Sequence, residues 1–192
     1  MTTRSRPAPA REKLLDAAGQ LFYASGTTAT GIDAITAAAG VAKKSLYNNF
    51  ASKDELVLAY LETRHAEWLD LYSRRLAQAS APEQRVLAVV DAYLDHANGA
   101  YEFGFRGCGL LNAAAELPSG APGRAAVRRH KEHVERILAD DLGALTDPDT
   151  ARETAEHFSF LLEGAVARAG LEGTSDRLKR ARGIAARMIT AL

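Results

Sequence analysis

Lys43, Lys44, Tyr47 and Asn48 recur as i, i+1, i+4 and i+5, so on a helix two ammonium groups, a phenol and an amide share one face. Such a face can neutralise phosphates, reach guanine edges, bond a phosphate oxygen or pair with adenine. Leu46 and Phe50, one turn apart, point the other way and are expected to be buried. Upstream, Ile32, Ile35 and Ala39 recur at helical spacing, Gly40 lets the backbone reverse, and Val41 can plug the turn. Residues 32–50 are therefore expected to form two short helices joined by a tight turn, the second presenting its polar face to a DNA major groove. Taken alone, a polar helix face is more often plainly solvated.

A wider pattern surrounds this hairpin. Ala39-Gly40-Val41 closes a run of small residues, Leu46-Tyr47-Asn48-Asn49-Phe50 ends the second helix, and Ser52-Lys53-Asp54-Glu55-Leu56 opens a longer one. In these motifs the chain resembles the DNA-binding domain of the TetR family of transcriptional regulators. The match is strong over residues 11–58; beyond them it rests on length, helical character and loose motifs. The resemblance implies backbone contacts to DNA from Thr30, Gly31 and Lys53, and puts Lys43, Lys44, Ser45, Tyr47, Asn48 and Asn49 in the segment that meets DNA. Lys44 stands where the family often has glycine, Asn49 where His or Tyr is common, and Ala42 where a serine usually caps the helix. Loss of a hydroxyl cap costs on the order of 1 kcal/mol and bears on the phosphate contact at that helix start. Docking itself depends on helix placement and positive charge. Independently of the family, Ser52 and Glu55 have capping-box spacing, whereas Lys53 in the first turn opposes the helix dipole.

The chain has 192 residues, with 24 basic and 24 acidic side chains. Through Lys53, however, seven basic residues face three acidic ones, a net of +4 that leaves −4 for the remainder. A basic leading segment on a neutral chain points to nucleic acid bound by that end. No apolar stretch follows the basic, proline-containing start, and no run of about 18 apolar residues occurs. A cytoplasmic location is expected, in keeping with the single thiol, Cys108, which excludes an internal disulfide.

The expected fold is all-α, about nine helices, with a flexible arm (1–9), a three-helix DNA-binding domain (10–52) and a helical effector-binding and dimerisation domain (53–192). Leu14, Ala17, Ala18, Leu21 and Phe22 stripe a first helix over 10–25, ended by Gly26. A long helix over 53–79 carries Leu56, Tyr60, Trp68, Leu71 and Tyr72 inward, and another starts near Pro82 and runs to about Asn98. After a break at 99–107 come a short helix ended by Pro118 and helices over 122–142, 148–170 and from about Thr174.

On the last two helices, Phe158, Leu161, Leu162, Gly164 and Ala165, then Leu178, Ala181, Ala185, Met188 and Leu192, are candidates for a homodimer interface. The alternative is that they complete an internal core. In the resembled family such helices form an intersubunit four-helix bundle that sets two recognition helices on one face.

The resemblance also implies a cavity for a small, largely apolar or aromatic effector. Its candidate lining is Trp68, Tyr72, Tyr93, Phe103, Phe105, Cys108, Asn112, Glu116, His157 and Phe160. Aromatics at helical spacing are also ordinary core, and Asn112 and Glu116, one turn apart, either act together or face water. In the family mechanism the effector shifts the long connecting helix and changes the separation of the two heads.

His130 and His133 have metal-ligand spacing, but the strongly charged stretch around them favours a solvated face, and no cofactor or metal is implied. Cys108 between glycines is either a redox or electrophile sensor or a buried inert thiol. No nucleophile elbow, glycine-rich phosphate loop or cysteine cluster supports an enzyme, which leaves only a cysteine hydrolase at Cys108 to set aside. A DNA-binding architectural protein without effector is the remaining alternative; a fully packed body would favour it, an aromatic cavity a sensor.

Overall fold

The computed structural model describes residues 9–99 and 104–192. Among the described residues there are nine helices and no strand: α1 (Ala10–Ser25), α2 (Ile32–Ala39), α3 (Lys43–Asn49), α4 (Lys53–Leu76), α5 (Pro82–Ala97), α6 (Gly109–Ala115), α7 (Pro122–Leu142), α8 (Pro148–Glu172) and α9 (Asp176–Thr190). Arg4 and Arg6 of the expected arm, and Phe103, lie outside the described residues. No described helix is long and apolar enough to cross a membrane.

The boundaries follow from local chemistry. Gly26, at φ 90°, closes α1 by returning its N–H to Phe22 O. Gly40 ends α2 in the left-handed region at φ 63°, giving the reversal that the helical hairpin needs. At the start of α4, Ser52 Oγ accepts from Glu55 N–H at 3.1 Å, satisfying one orphan donor, while Glu55 Oε2 accepts at 2.7 Å from the N–H of Ala51, one residue before the cap. Asp147 caps α8 in the same way, accepting from the N–H groups of Asp149 and Thr150.

Two apolar cores organise these helices. The first gathers Leu14, Ala18 and Phe22 of α1, Ile35 of α2, Leu46 of α3 and Phe50, with Leu56, Tyr60 and Leu61 of α4. It also takes in Leu110, Ala113 and Ala114 of α6 and Val127 of α7. The head is thus sealed by residues well beyond 52, and α6 belongs to it by packing. The second core is formed by α5, α7, α8 and α9 with Trp68 and Tyr72 of α4. Helix α4 therefore serves both cores, and Cys108 packs against both.

The segment before α6 is held tightly against α8. A Cβ placed on Gly170 would stand 2.5 Å from Gly107 N, so only glycine allows the two backbones to lie this close. Gly107 itself has φ 84°.

Candidate nucleic-acid interface and inner cavity

Helix α3 is anchored by Leu46, fully buried, and by Phe50 just after it. Truncating a leucine so placed costs about 2–5 kcal/mol, which is what holds the outer face in position. On that face Lys43, Lys44, Asn48 and Tyr47 are exposed, the tyrosine at 52%. Ser45 is half-buried. The tetrad read from spacing therefore shares one accessible surface. Ala42 caps α3 without a side-chain hydrogen bond, as its lack of a hydroxyl requires.

Lys43 Nζ lies 2.8 Å from Asp33 Oδ1 of α2, which raises the lysine pKa through that hydrogen bond and the carboxylate charge. This partner was not read from the sequence, although Asp33 stands in the first turn of α2. Lys53 Nζ approaches Thr28 O at 3.4 Å in the turn between α1 and α2, and Gly31 beside it is exposed.

Two of the expected DNA-contact side chains are occupied internally. Thr30 is buried, its hydroxyl donating to Gly26 O at 2.7 Å and Leu21 O at 3.3 Å, so it shapes the turn. Asn49 is half-buried and its Nδ2 donates to Ser45 O at 2.7 Å, closing α3.

Between the cores lies a small inner cavity lined by Tyr23, Arg64, Trp68, Tyr93, His96, Cys108, Gly109, Leu110, His130 and Val166. About 30 Å³ of it is open to water, room for one or two molecules. Trp68, 5% exposed, has an indole N–H with no hydrogen-bond partner among the described residues. Burial, reinforced by nearby cations, lowers His96 to about 4 and His130 to about 3, so both imidazoles are neutral at pH 7. Burial opposes the charge of Lys131, yet Tyr93, Cys108 and Glu163 around it keep its pKa above the ordinary lysine value. Its Nζ is 2.6 Å from Glu163 and 3.6 Å from Cys108 Sγ. Outside the cavity runs an open groove of about 500 Å³, and Tyr23, Cys108 and Val166 border both spaces.

Of the expected effector residues, Trp68, Tyr93 and Cys108 come together around this cavity. Tyr72 stacks on Trp68 from behind and donates its hydroxyl to Asp141. Phe105 is buried edge-on to His96. Asn112 and Glu116 border the outer groove instead: Asn112 Nδ2 donates to Arg106 O, and Glu116 reaches the head. His157 and Phe160 are corrected outright, because both are exposed on α8, the phenylalanine at 64%.

The dimer candidates divide similarly. Phe158, Leu162, Ala165, Leu178, Ala181 and Ala185 are buried inside the protomer and offer no surface to a partner. Leu161 and Met188 are half-buried, and Gly164 and Leu192 exposed. The outward apolar face of α8 is instead Phe160, Gly164, Ala167 and Leu171; Ile184 on α9 and Leu192 beyond its end are also exposed.

The solvated reading of the histidines is also corrected. His130 is 3% exposed, its Nδ1 2.7 Å from His65 Nδ1, while His65 Nε2 lies 3.5 Å from His133 Nδ1. His65 spends one nitrogen on each neighbour, so the rings form a chain and do not converge on a common point. Among the described residues no group of three or more His, Cys, Asp or Glu side chains is arranged to hold a metal.

Comparison with known proteins gives this geometry a context. Residues 14–60 match the family described as bacterial regulatory proteins, tetR family. Over 86 residues the chain is 41% identical to the HTH-type transcriptional activator FasR of Mycolicibacterium smegmatis, covering 44% of this chain and 39% of the relative. Over 85 residues it is 34% identical to the HTH-type transcriptional repressor KstR2 of the same organism, covering 44% and 41%. The alignments thus span about two fifths of the length of these curated relatives. The crystal structure of SCO4454, a TetR-family transcriptional regulator from Streptomyces coelicolor, is 32% identical, with 94% of this chain and 95% of that one covered and a TM-score of 0.84. A TetR transcriptional regulator from Chloroflexus aurantiacus is 26% identical over 94% of each chain, with a TM-score of 0.82.

Proposed function

Because this chain belongs to the TetR family of transcriptional regulators, we propose that it acts as a homodimeric, ligand-responsive repressor released from a palindromic operator by a small molecule. The family regulates transcription by binding DNA and is not enzymatic. The observation that carries the reading is the outward tetrad of α3, rigidly backed by Leu46 and Phe50 and set in a basic leading segment. Lys43, Lys53 and the exposed backbone at Gly31 take phosphates, Tyr47 and Ser45 bond the backbone at the groove edge, and Lys44 and Asn48 read bases. Thr30 and Asn49 act by shaping the turn and the end of α3.

One short recognition helix reads too few bases, so two must act together. The exposed α8 stripe of Phe160, Gly164, Ala167 and Leu171, with Ile184 on α9, supports pairing through the last two helices. The effector is a small, neutral, largely apolar or aromatic molecule with an acceptor atom for the Trp68 N–H. Neutral His96 and His130, Arg64 paired with Glu67, and the Lys131–Glu163 pair nearby leave no net charge for it to match. What supports this over an effector-free architectural binder is the lining, where Trp68 and Tyr93 meet polar groups of Tyr23, Arg64, His96 and His130 that could orient an occupant. The effector acts by moving the heads relative to one another, and it can do so only as far as it prefers the nonbinding arrangement. The named relatives include an activator and a repressor; release on ligand binding is the reading proposed here.

Selection of bound duplexes from a random pool with the purified protein tests this reading. An inverted repeat with half-sites about one helical turn apart, roughly 34 Å, is expected. Recovery of no enriched sequence would overturn it.

A further inference from the structure

The DNA-binding head supplies part of the cavity wall. Tyr23 lies on α1, yet it borders both the inner cavity and the outer groove. Its hydroxyl accepts from Arg106 N–H at 2.6 Å and donates to Gly107 O at 3.2 Å, while Arg106 Nη1 donates to Tyr23 O at 3.2 Å. At the far end of the same segment, Glu116 Oε2 accepts from Thr28 N–H at 2.6 Å and from the Thr27 hydroxyl at 3.1 Å. These bonds hold the Glu116 carboxyl below its usual pKa against the opposing effect of burial.

Residues 106–116 are therefore tied to the head at both ends. Between the ties, Leu110, Ala113 and Ala114 sit in the head's own core, and Cys108, Gly109 and Leu110 line the cavity. There is no slack around them. A Cβ on Gly109 would lie 3.0 Å from Tyr60 Oη and 3.1 Å from the Tyr23 ring, and Gly107 rests against Gly170 of α8. Since the free cavity holds only one or two waters, any larger occupant must displace a wall, and a close-packed wall moves as a unit.

Resting on the effector-responsive reading above, we propose that Tyr23 and Glu116 are positioning residues that pass occupancy of the inner cavity to the reading head. An occupant shifts residues 106–116; through the two ties this carries α1 and the turn at residues 26–31, and with them α2 and α3. Lys53 shares that turn through Thr28 O, so a phosphate-binding lysine moves with it. The route enters the head through α1 and reaches α4 only at Lys53, whereas α4 borders the cavity directly through Arg64 and Trp68.

Cys108 is the single cysteine, so alkylating it with iodoacetamide places a carboxamidomethyl group in the shared wall and on no other thiol. The sulfur displaces iodide and the thiol proton passes to buffer. Affinity for the duplex selected from the random pool is then measured before and after alkylation. Alkylated wild type is expected to bind about tenfold more weakly, within the usual range of coupling between sites. Cys108→Ser treated with the same reagent stays unchanged. In Tyr23→Phe and Glu116→Ala together, alkylation shifts affinity by less than about twofold. Glu116→Gln, which keeps an acceptor oxygen for Thr28 N–H, restores most of the response in a Tyr23 background. Each single variant is also read alone with its thermal melt, so poor folding of one leaves the other decisive. Unchanged affinity of alkylated wild type, or equal weakening in the variants, overturns the proposal. Failure of the untreated protein to bind any duplex is a different result and removes the parent reading as well.

Discussion

Replacing Lys43 by Ala separates phosphate contact from mere surface charge. In the free protein the Lys43 ammonium sits 2.8 Å from Asp33, with the two side chains 56% and 81% exposed. A pair so exposed is screened and readily exchanged, so the ammonium is free to turn to a phosphate when DNA arrives. In a symmetric dimer the substitution deletes two such contacts. Each neutralised phosphate contributes about 0.9 to the slope of log K against log salt, so the slope should shrink by about 1.8. Between 50 and 200 mM salt that is a roughly twelvefold smaller loss of affinity in the variant. Fluorescence anisotropy on the selected duplex across a salt series reads it directly. The companion Asp33→Asn should leave the slope intact and raise affinity at every salt concentration, because the competing carboxylate is gone. A Lys43→Ala slope equal to that of wild type would refute phosphate contact by this residue.

Three further outcomes are expected. His96 and His130 have folded-state pKa values of about 4 and about 3, below the ordinary histidine value. Below that value the unfolded chain takes up protons the folded chain refuses, so stability falls as pH drops from about 7 toward 4, by about 2 kcal/mol per ring at pH 5. Thermal melts at pH 7.5 and 5 should show this, and a His96→Gln, His130→Gln variant that melts with an equally steep pH dependence would contradict it. Gly170→Ala drives a methyl into the Gly107 backbone; overpacking of about 1–3 kcal/mol should lower Tm by roughly 2–4 °C for each kcal/mol, and an unchanged melt would mean the contact yields freely. Phe160→Asp with Leu171→Asp should convert a dimer to monomer in sedimentation velocity and weaken DNA binding; a dimer of unchanged strength would move the interface elsewhere.

The head was legible because its signals are local. Ile35, Leu46 and Phe50 lie in register with the helical repeat, Gly40 takes the left-handed conformation a tight reversal requires, and Ser52 and Glu55 satisfy each other's neighbourhood as their spacing demands. Helix α8 was harder to phase. Phe158, Phe160, Leu161, Leu162, Ala165 and Val166 crowd it with apolar side chains over more than one face, so periodicity does not say that Phe158 turns in and Phe160 out. His130 misled for the opposite reason: its neighbours in sequence are charged, and only the packing of α7 on α4 brings His65 and Trp68 over its ring. Tyr23 and Glu116 act on partners more than 80 residues away, a kind of contact that no local pattern encodes.

Operator binding of this kind requires two α3 faces to enter successive major grooves of one duplex. Methylation interference at guanine N7 on the selected duplex tests this most directly, since N7 lies on the major-groove edge. The prediction is two symmetric clusters of interference about one helical turn apart, weakened in Lys44→Ala. A single unrepeated cluster, or full binding to a duplex methylated throughout, would contradict it.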